Sequence, residues 1–289
     1  MPHPPHVQSF FDPATHTVSY VASDPNTREC AIIDSVLDFD ARAGRTATRS
    51  AKSIVDYVRH HALTPRWILE THVHADHLSA AQHLQQVLGG LVGIGEHVTD
   101  VQRIFADVFN LTANFSTDGS QFDRLFHDGE TFTIGQIPAR ILHTPGHTPA
   151  CVTYLIGDAA FVGDSLFMPD YGTARTDFPG GDARILFQSI QRILALPPST
   201  RVFVGHDYGA PDRQRFAWET TVEEQRRANV HVRLGTDADA FVRMRTGRDA
   251  TLEMPALILP SVQVNIRAGR LPPPESNGVH YLKIPVDVL

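Results

Sequence analysis

Thr71-His72-Val73-His74-Ala75-Asp76-His77-Leu78-Ser79 is the stretch on which the reading of this chain turns. It directly follows Trp67-Ile68-Leu69, an apolar run that reads as a buried strand. Alternate residues of an extended segment share a side, so His72, His74 and Asp76 are expected to project together beyond the strand. His77, next to Asp76, is expected to face a second site. Imidazole and carboxylate together suit zinc, iron or manganese rather than a metal that prefers thiolates. The ordinary alternative is a polar loop, since the chain holds 16 histidines. Four side chains able to bind a metal within six residues, with partners downstream, favour the metal.

Those partners share one pattern. His147 follows the tight turn of Pro145-Gly146 in Leu142-His-Thr-Pro-Gly-His-Thr-Pro-Ala-Cys151. Asp164 follows Phe161-Val162-Gly163, and His206 follows Val202-Phe203-Val204-Gly205. Each is a short apolar strand or turn, a glycine, then a group able to bind metal. Sites carried on strand ends are held by rigid elements, which is how coordination geometry is fixed.

The order HxHxDH, TPGHT, GDSLF and GHDY, spanning Thr71 to Tyr208, resembles the metallo-β-lactamase superfamily. The resemblance implies a four-layer αβ/βα sandwich with the metal site along one edge. Past Tyr208 the character of the chain shifts, so a catalytic domain is expected over residues 1–209, followed by a helical and irregular C-terminal subdomain over 210–289 packing on the active-site edge. Within the superfamily, Ala174-Arg175-Thr176-Asp177-Phe178 and His206-Asp207-Tyr208-Gly209 are similar to the persulfide dioxygenases. Animal and plant members of that family carry Gly-Cys-Gly before RTDF; Met168 to Ala174 stands there in this chain, as in a bacterial branch. The family converts glutathione persulfide and O2 to sulfite and glutathione with one Fe(II) per chain. By that resemblance His72, His147 and Asp164 hold the iron, while His74, Asp76, His77 and His206 hydrogen-bond around it. Arg175 is the expected contact for a glutathione carboxylate, with an ion pair to Asp177 as its alternative, and Tyr208 is expected either beside the substrate or packed. All seven superfamily positions are filled, so a dinuclear hydrolase of the glyoxalase II type is the alternative, with Asp164 bridging two metals. A non-catalytic metal- or thiol-binding protein is the third class.

Composition agrees with a globular enzyme. The 289 residues are 42% hydrophobic and carry a net charge of -7, which disfavours a nucleic-acid backbone as partner. Cys30 and Cys151 are too few for a disulfide framework, which points to a reducing, cytoplasmic setting. Cys151, four residues after His147, reads as a small buried hydrophobe. Met1 to Phe10 lacks the pattern of a secretory signal, and no run of 18 apolar residues suggests a membrane span. A homodimer or higher homo-oligomer is expected.

Periodicity supplies the rest. Thr17–Ala22 and Cys30–Val36 read as an opening hairpin around Asp24-Pro25-Asn26. Helices are expected over Ser53–Leu63, Leu78–Leu88 before Gly89-Gly90, and the segment carrying Val101, Ile104, Phe105, Val108 and Phe109. Phe122–Phe161 reads as short strands. Asp182–Leu196 reads as a helix with Ile185, Leu186, Ile190, Ile193 and Leu194 inward. Thr221 to Glu224 suggests a capping box, and another helix fits Ala238–Arg245.

Overall fold

The computed structural model describes residues 4–111 and 115–288. The chain opens with an antiparallel meander, β1 (His6–Asp12), β2 (Thr17–Ser23) and β3 (Glu29–Ile33). A hairpin of β4 (Val36–Asp40) and β5 (Arg45–Ala47) leads into α1 (Arg49–His60) and β6 (Thr64–Leu69). After the histidine-rich loop come β7 (Leu78–Ser79), α2 (Ala81–Leu88), β8 (Leu91–Gly95), α3 (Val98–Val108) and β9 (Arg124–Phe126). Strands β10 (Thr131–Ile134), β11 (Ile137–His143), β12 (Val152–Ile156) and β13 (Ala159–Phe161) follow as a second meander. Helix α4 (Ala183–Leu194), β14 (Arg201–Phe203), β15 (Glu219–Thr221), α5 (Val222–Ala228), α6 (Ala238–Asp249) and α7 (Ile258–Asn265) complete the chain.

Two six-stranded sheets result, ordered β1-β2-β3-β6-β8-β9 and β10-β11-β12-β13-β14-β15. Their facing sides bury Tyr20, Ile33, Leu69 and Phe126 of the first sheet against Ile141, Tyr154, Phe161 and Phe203 of the second. The alternate residues of the first sheet (Val21, Ile32, Ile68) pack under α1, α2 and α3. Ala160, Val202 and the neighbouring Val162 and Val204 pack under α4 and α6. Both sheets are thus apolar on both faces, as strands between layers must be. This is the four-layer sandwich expected from the sequence.

Differences from the sequence reading have local causes. Helix α1 begins four residues early because Asp38 of β4 accepts the Ser50 N–H (3.1 Å), a cap supplied from another element. Ile185 was expected inward on α4 but is exposed. The buried stripe runs through Leu186, Ser189, Ile190 and Ile193, one position round the helix. Asp182 caps that helix through the Ile185 N–H. Thr221 caps α5 through the Glu224 N–H, but the Glu224 side chain bonds Thr220 instead of closing the box. Helix α6 runs four residues past the expected end, to Asp249. Strand β1 and helix α7 were not foreseen. Helix α7 has almost no amphipathic period, because Ile258, Ser261, Val262, Gln263, Val264 and Asn265 are all buried.

Candidate metal centre

Strand β6 ends at Leu69, so residues 70–77 form a loop rather than the strand extension expected from alternation. Backbone alternation therefore does not gather the donors; a set of buried hydrogen bonds does. Asp34, just past β3, accepts from the Thr71 N–H (2.7 Å) and the Thr71 hydroxyl (2.8 Å). It sits at φ 51°, a left-handed conformation that Asp tolerates better than most residues. Tyr154 donates to the Glu70 carbonyl (2.9 Å), and Ser79 donates to the Glu70 carboxylate (2.6 Å). Asn265 on α7 donates to the carbonyls of both His74 and His77 (2.8 Å each) and accepts the Ser79 N–H. Two glycines let the strand ends close in. A Cβ on Gly163 would strike the Thr71 hydroxyl, and one on Gly205 would sit 2.6 Å from Asp164 Oδ1.

These contacts dictate which nitrogen each imidazole turns inward. The Thr71 hydroxyl gives its proton to Asp34 and so accepts from His72 Nδ1 (3.0 Å). His77 Nδ1 donates to the Leu78 carbonyl (3.1 Å), and His147 Nδ1 to the Arg175 carbonyl (2.8 Å). His74 is reversed: its Nε2 lies 3.1 Å from both Asp34 and Glu70. Each ring spends one N–H on the surrounding protein and turns its other nitrogen inward. His72 Nε2, His74 Nδ1, His77 Nε2, His206 Nε2, Asp76 Oδ2 and Asp164 Oδ1 are buried without a hydrogen bond. Buried polar atoms are normally satisfied, so such a convergence of bare donors fits a divalent cation.

At His72 and His77 charge supports the same fit. Burial, then the neighbouring His74, His147, His206 and His77, hold His72 well below the usual histidine range. Burial pushes His77 down to about 3. Both are therefore neutral, the ligating form. Burial also opposes charge on His74, but Asp34 and Glu70 overcome it and raise that group.

The structure brings six of the seven sequence-named donors into two adjoining sets. His72, His147 and Asp164 form one; His74, Asp76 and His206 form the other. Asp164 Oδ2 lies 4.0 Å from His72 Nε2 and 3.6 Å from His147 Nε2, while its Oδ1 lies 3.3 Å from His206 Nε2. Asp76 Oδ2 is 3.2 Å from His206 Nε2. Two ligands each about 2 Å from one ion stand roughly 3–4 Å apart, so these gaps suit shared ions rather than direct bonds. His77 belongs to neither set, although its Nε2 faces inward. Asp34, Glu70 and Asn265 were missed by the sequence reading. The first two did carry a signal, since each directly follows an apolar strand, as Asp164 nearly does.

A cavity of about 370 Å³ opens onto this centre. Asp76, His147 and Asp164 reach it, walled by Phe167, Tyr171, Phe178 and Tyr208. Tyr208 stacks on His206 with ring centroids 5.5 Å apart. Arg175 also lines the cavity, and the ion-pair reading describes its geometry. Nε and Nη2 grip Asp177 at 2.6 Å, Nη1 donates to the Glu253 carbonyl, and the guanidinium lies over Phe178. Arg248, on the exposed side of α6, lines the cavity and makes no ion pair among the described residues. Cys151 is buried, and burial pushes its thiol up to about 12, as suits a packed, unreactive side chain.

This sandwich with histidine and carboxylate donors at its strand ends defines the class. The family described as the metallo-beta-lactamase superfamily matches residues 12–206, and the chain belongs to that superfamily of metal-dependent enzymes. Among individual relatives, a "Probable metallo-hydrolase" of Burkholderia pseudomallei is 56% identical, over 98% of this chain and 99% of that one. "Persulfide dioxygenase ETHE1, mitochondrial" of Bos taurus is 30% identical, over 93% and 90%. The crystal structure of ETHE1 from Myxococcus xanthus covers 92% of this chain and 100% of its own, with a TM-score of 0.73 and 28% identity. Against the "Beta-lactamase hydrolase-like protein" of Agrobacterium fabrum, the chain spans 65% of the relative's length. Among the described residues, no helix is long and apolar enough to cross a membrane.

Proposed function

We propose that this chain is an Fe(II)-dependent persulfide dioxygenase that oxidises glutathione persulfide with O2 to sulfite and glutathione. The observation that carries the reading is the set of His72, His147 and Asp164, two imidazoles and one carboxylate whose donor atoms lie within 4.8 Å of one another. Two histidines and one carboxylate are the donor set of non-haem iron oxygenases, which leaves coordination positions open. A single Fe(II) held there would supply redox chemistry toward O2 and a Lewis acid toward the persulfide sulfur. The chain's own residues hold and orient the substrate. Phe167, Phe178 and Tyr171 give the cavity an apolar wall that limits water around the sulfur, and Tyr208 offers a hydroxyl beside it. With Arg175 engaged by Asp177, Arg248 is the cavity-lining cation left without an ion pair among the described residues, available to a substrate carboxylate, and Arg175 shapes the wall. On this reading residues 1–209 are the catalytic unit and 210–289 a subdomain that completes the cavity. A homo-oligomer and a cytoplasmic setting belong to the same proposal.

A second reading rests on the adjoining set of His74, Asp76 and His206, with Asp164 facing both sets. Two metals there suit a hydrolase of glutathione thioesters, the glyoxalase II type. Two measurements on protein from iron-replete cells separate the readings. One iron per chain, with O2 consumed and sulfite released from glutathione persulfide, is the expected result. Two metals per chain, with rapid cleavage of S-lactoylglutathione and no O2 uptake, would install the hydrolase instead.

A further inference from the structure

The wall of the cavity between Asp164 and Phe178 has no regular secondary structure, yet it is buried and fixed. Turns of its own hold part of its backbone, such as the Phe167 N–H on the Gly172 carbonyl, and side chains from beyond residue 220 hold much of the rest. Gln225 donates to the Phe167 carbonyl (2.8 Å) and Asn229 to the Gly172 carbonyl (3.1 Å). The tightest grip is on either side of Arg175. Arg245 donates to the Thr173 carbonyl (3.1 Å), and Asp249 accepts from both the Thr176 N–H (2.9 Å) and the Thr176 hydroxyl (3.0 Å). Arg245 and Asp249 are themselves joined, at 2.6 and 2.8 Å, one turn apart on α6, and both are almost fully buried. Midway between the gripped residues, the Arg175 carbonyl accepts from His147 Nδ1 at 2.8 Å.

We propose that the buried Arg245–Asp249 pair is a positioning device for His147. By clamping Thr173 and Thr176 it aims the intervening Arg175 carbonyl at Nδ1. The N–H is thereby fixed on that nitrogen, and Nε2 is presented bare toward Asp164. The inference rests on the reading of His147 as a metal donor. A buried ion pair is weak support for stability, because desolvation offsets most of its attraction, and apolar pairs of similar volume often replace it at no loss. What such a pair contributes instead is a unique arrangement of the polar groups it touches. Here these flank the carbonyl that orients the His147 ring.

The test compares the parent with Arg245→Met/Asp249→Leu, which removes both charges at similar volume, and with Thr176→Val, which removes one hydroxyl bond and leaves the pair intact. Two readouts are followed beside the melting temperature. One is the His147 tautomer in metal-free protein, from long-range nitrogen-15 spectra assigned with His147→Ala. The other is Co(II) affinity by competition with a chromophoric chelator. The double variant is expected to melt near the parent, to lose the single Nδ1–H tautomer and to bind metal about 10–100-fold more weakly. Thr176→Val is expected to weaken binding about threefold, because Asp249 keeps its bond from the Thr176 N–H, and it carries the test alone if the double variant does not fold. Parent-like tautomer and affinity in the folded variants would overturn the clamp while leaving the proposed activity untouched. Unchanged metal affinity in His147→Ala would instead overturn the reading of His147 as a donor, and the clamp with it.

Discussion

The floor and the wall of the cavity treat polar groups in opposite ways. On the floor, His72, His74, His77, His206, Asp76 and Asp164 each turn a buried atom inward with no hydrogen-bond partner. In the wall, Gln225, Asn229, Arg245 and Asp249 are just as buried, and each is saturated by backbone or by one another. Burial alone therefore does not mark a site. An unsatisfied buried donor costs about 1–3 kcal/mol, so six together persist only where a ligand satisfies them. Satisfied groups hold geometry; bare ones await a ligand.

The sharpest way to break that contrast is to remove one floor donor from each set. On the proposed reading His72→Ala is expected to lose most bound iron and all O2 uptake, because three protein donors would hold a mononuclear site. His206→Ala is expected to retain much of its iron, with a loss of about 10–100-fold in affinity or activity. Iron analysis and O2-electrode traces on both variants check this. Equal and complete iron loss from both would mean that the two sets act as one dinuclear centre.

Next in size is Asp34→Asn, which probes the layer between floor and core. Asn accepts the left-handed backbone at this position, so the substitution removes the carboxylate charge and one of its two acceptor oxygens without straining the chain. Without it, His74 keeps only Glu70 as an anionic partner for Nε2. Metal affinity is expected to fall by about tenfold or more, with the fold retained, measured by chelator competition and melting temperature.

How far the sequence carried these conclusions follows from the physics of each part. The seven candidate donors were legible because their motifs are local, and the sandwich followed from the family those motifs resemble. Helices α1 to α4 were legible because each has one apolar stripe. Asp34 and Glu70 escaped because only the folded chain brings them 3.1 Å from His74, a partner 40 residues from Asp34. Helix α7 escaped because a helix buried all round has no period, and Asn265 was lost with it. The ion pair of Arg175 with Asp177, two residues away, was open in the sequence as the alternative to a substrate contact. Arg248 was not, because only the folded chain brings α6 to the cavity, where among the described residues Arg248 makes no ion pair.

That last difference sets a third comparison, now within the wall. Arg248→Ala is expected to raise KM for glutathione persulfide roughly tenfold with iron content unchanged, the size of one charge-assisted contact in partial solvent. Arg175→Ala is expected to lower the melting temperature, since it releases the Asp177 and Glu253 contacts, while moving KM by less. Reversed rankings would return the carboxylate contact to Arg175. Steady-state kinetics and thermal melts on the same preparations decide.

The smallest effect tests the saturation of the wall itself. His231 Nδ1 accepts the Thr173 N–H at 3.0 Å. Burial, then the nearby Arg245 and Arg248, push His231 down to about 4 from its ordinary 6.5, against the opposing pull of Asp249. The unfolded chain therefore binds this proton before the folded one does, so stability rises with pH through the window. The contribution is fully present above about pH 6.5, declines as pH falls, and is gone below about pH 4. Protonation also removes the lone pair that accepts from Thr173, so the loss falls on the segment that Arg245 and Asp249 clamp. His231→Gln keeps an acceptor but cannot titrate. Urea unfolding midpoints between pH 7 and 4 should therefore fall less steeply in this variant than in the parent. Identical slopes would mean that His231 reaches solvent well enough to charge in the folded protein, and that the wall is looser at Thr173 than its hydrogen bonds imply.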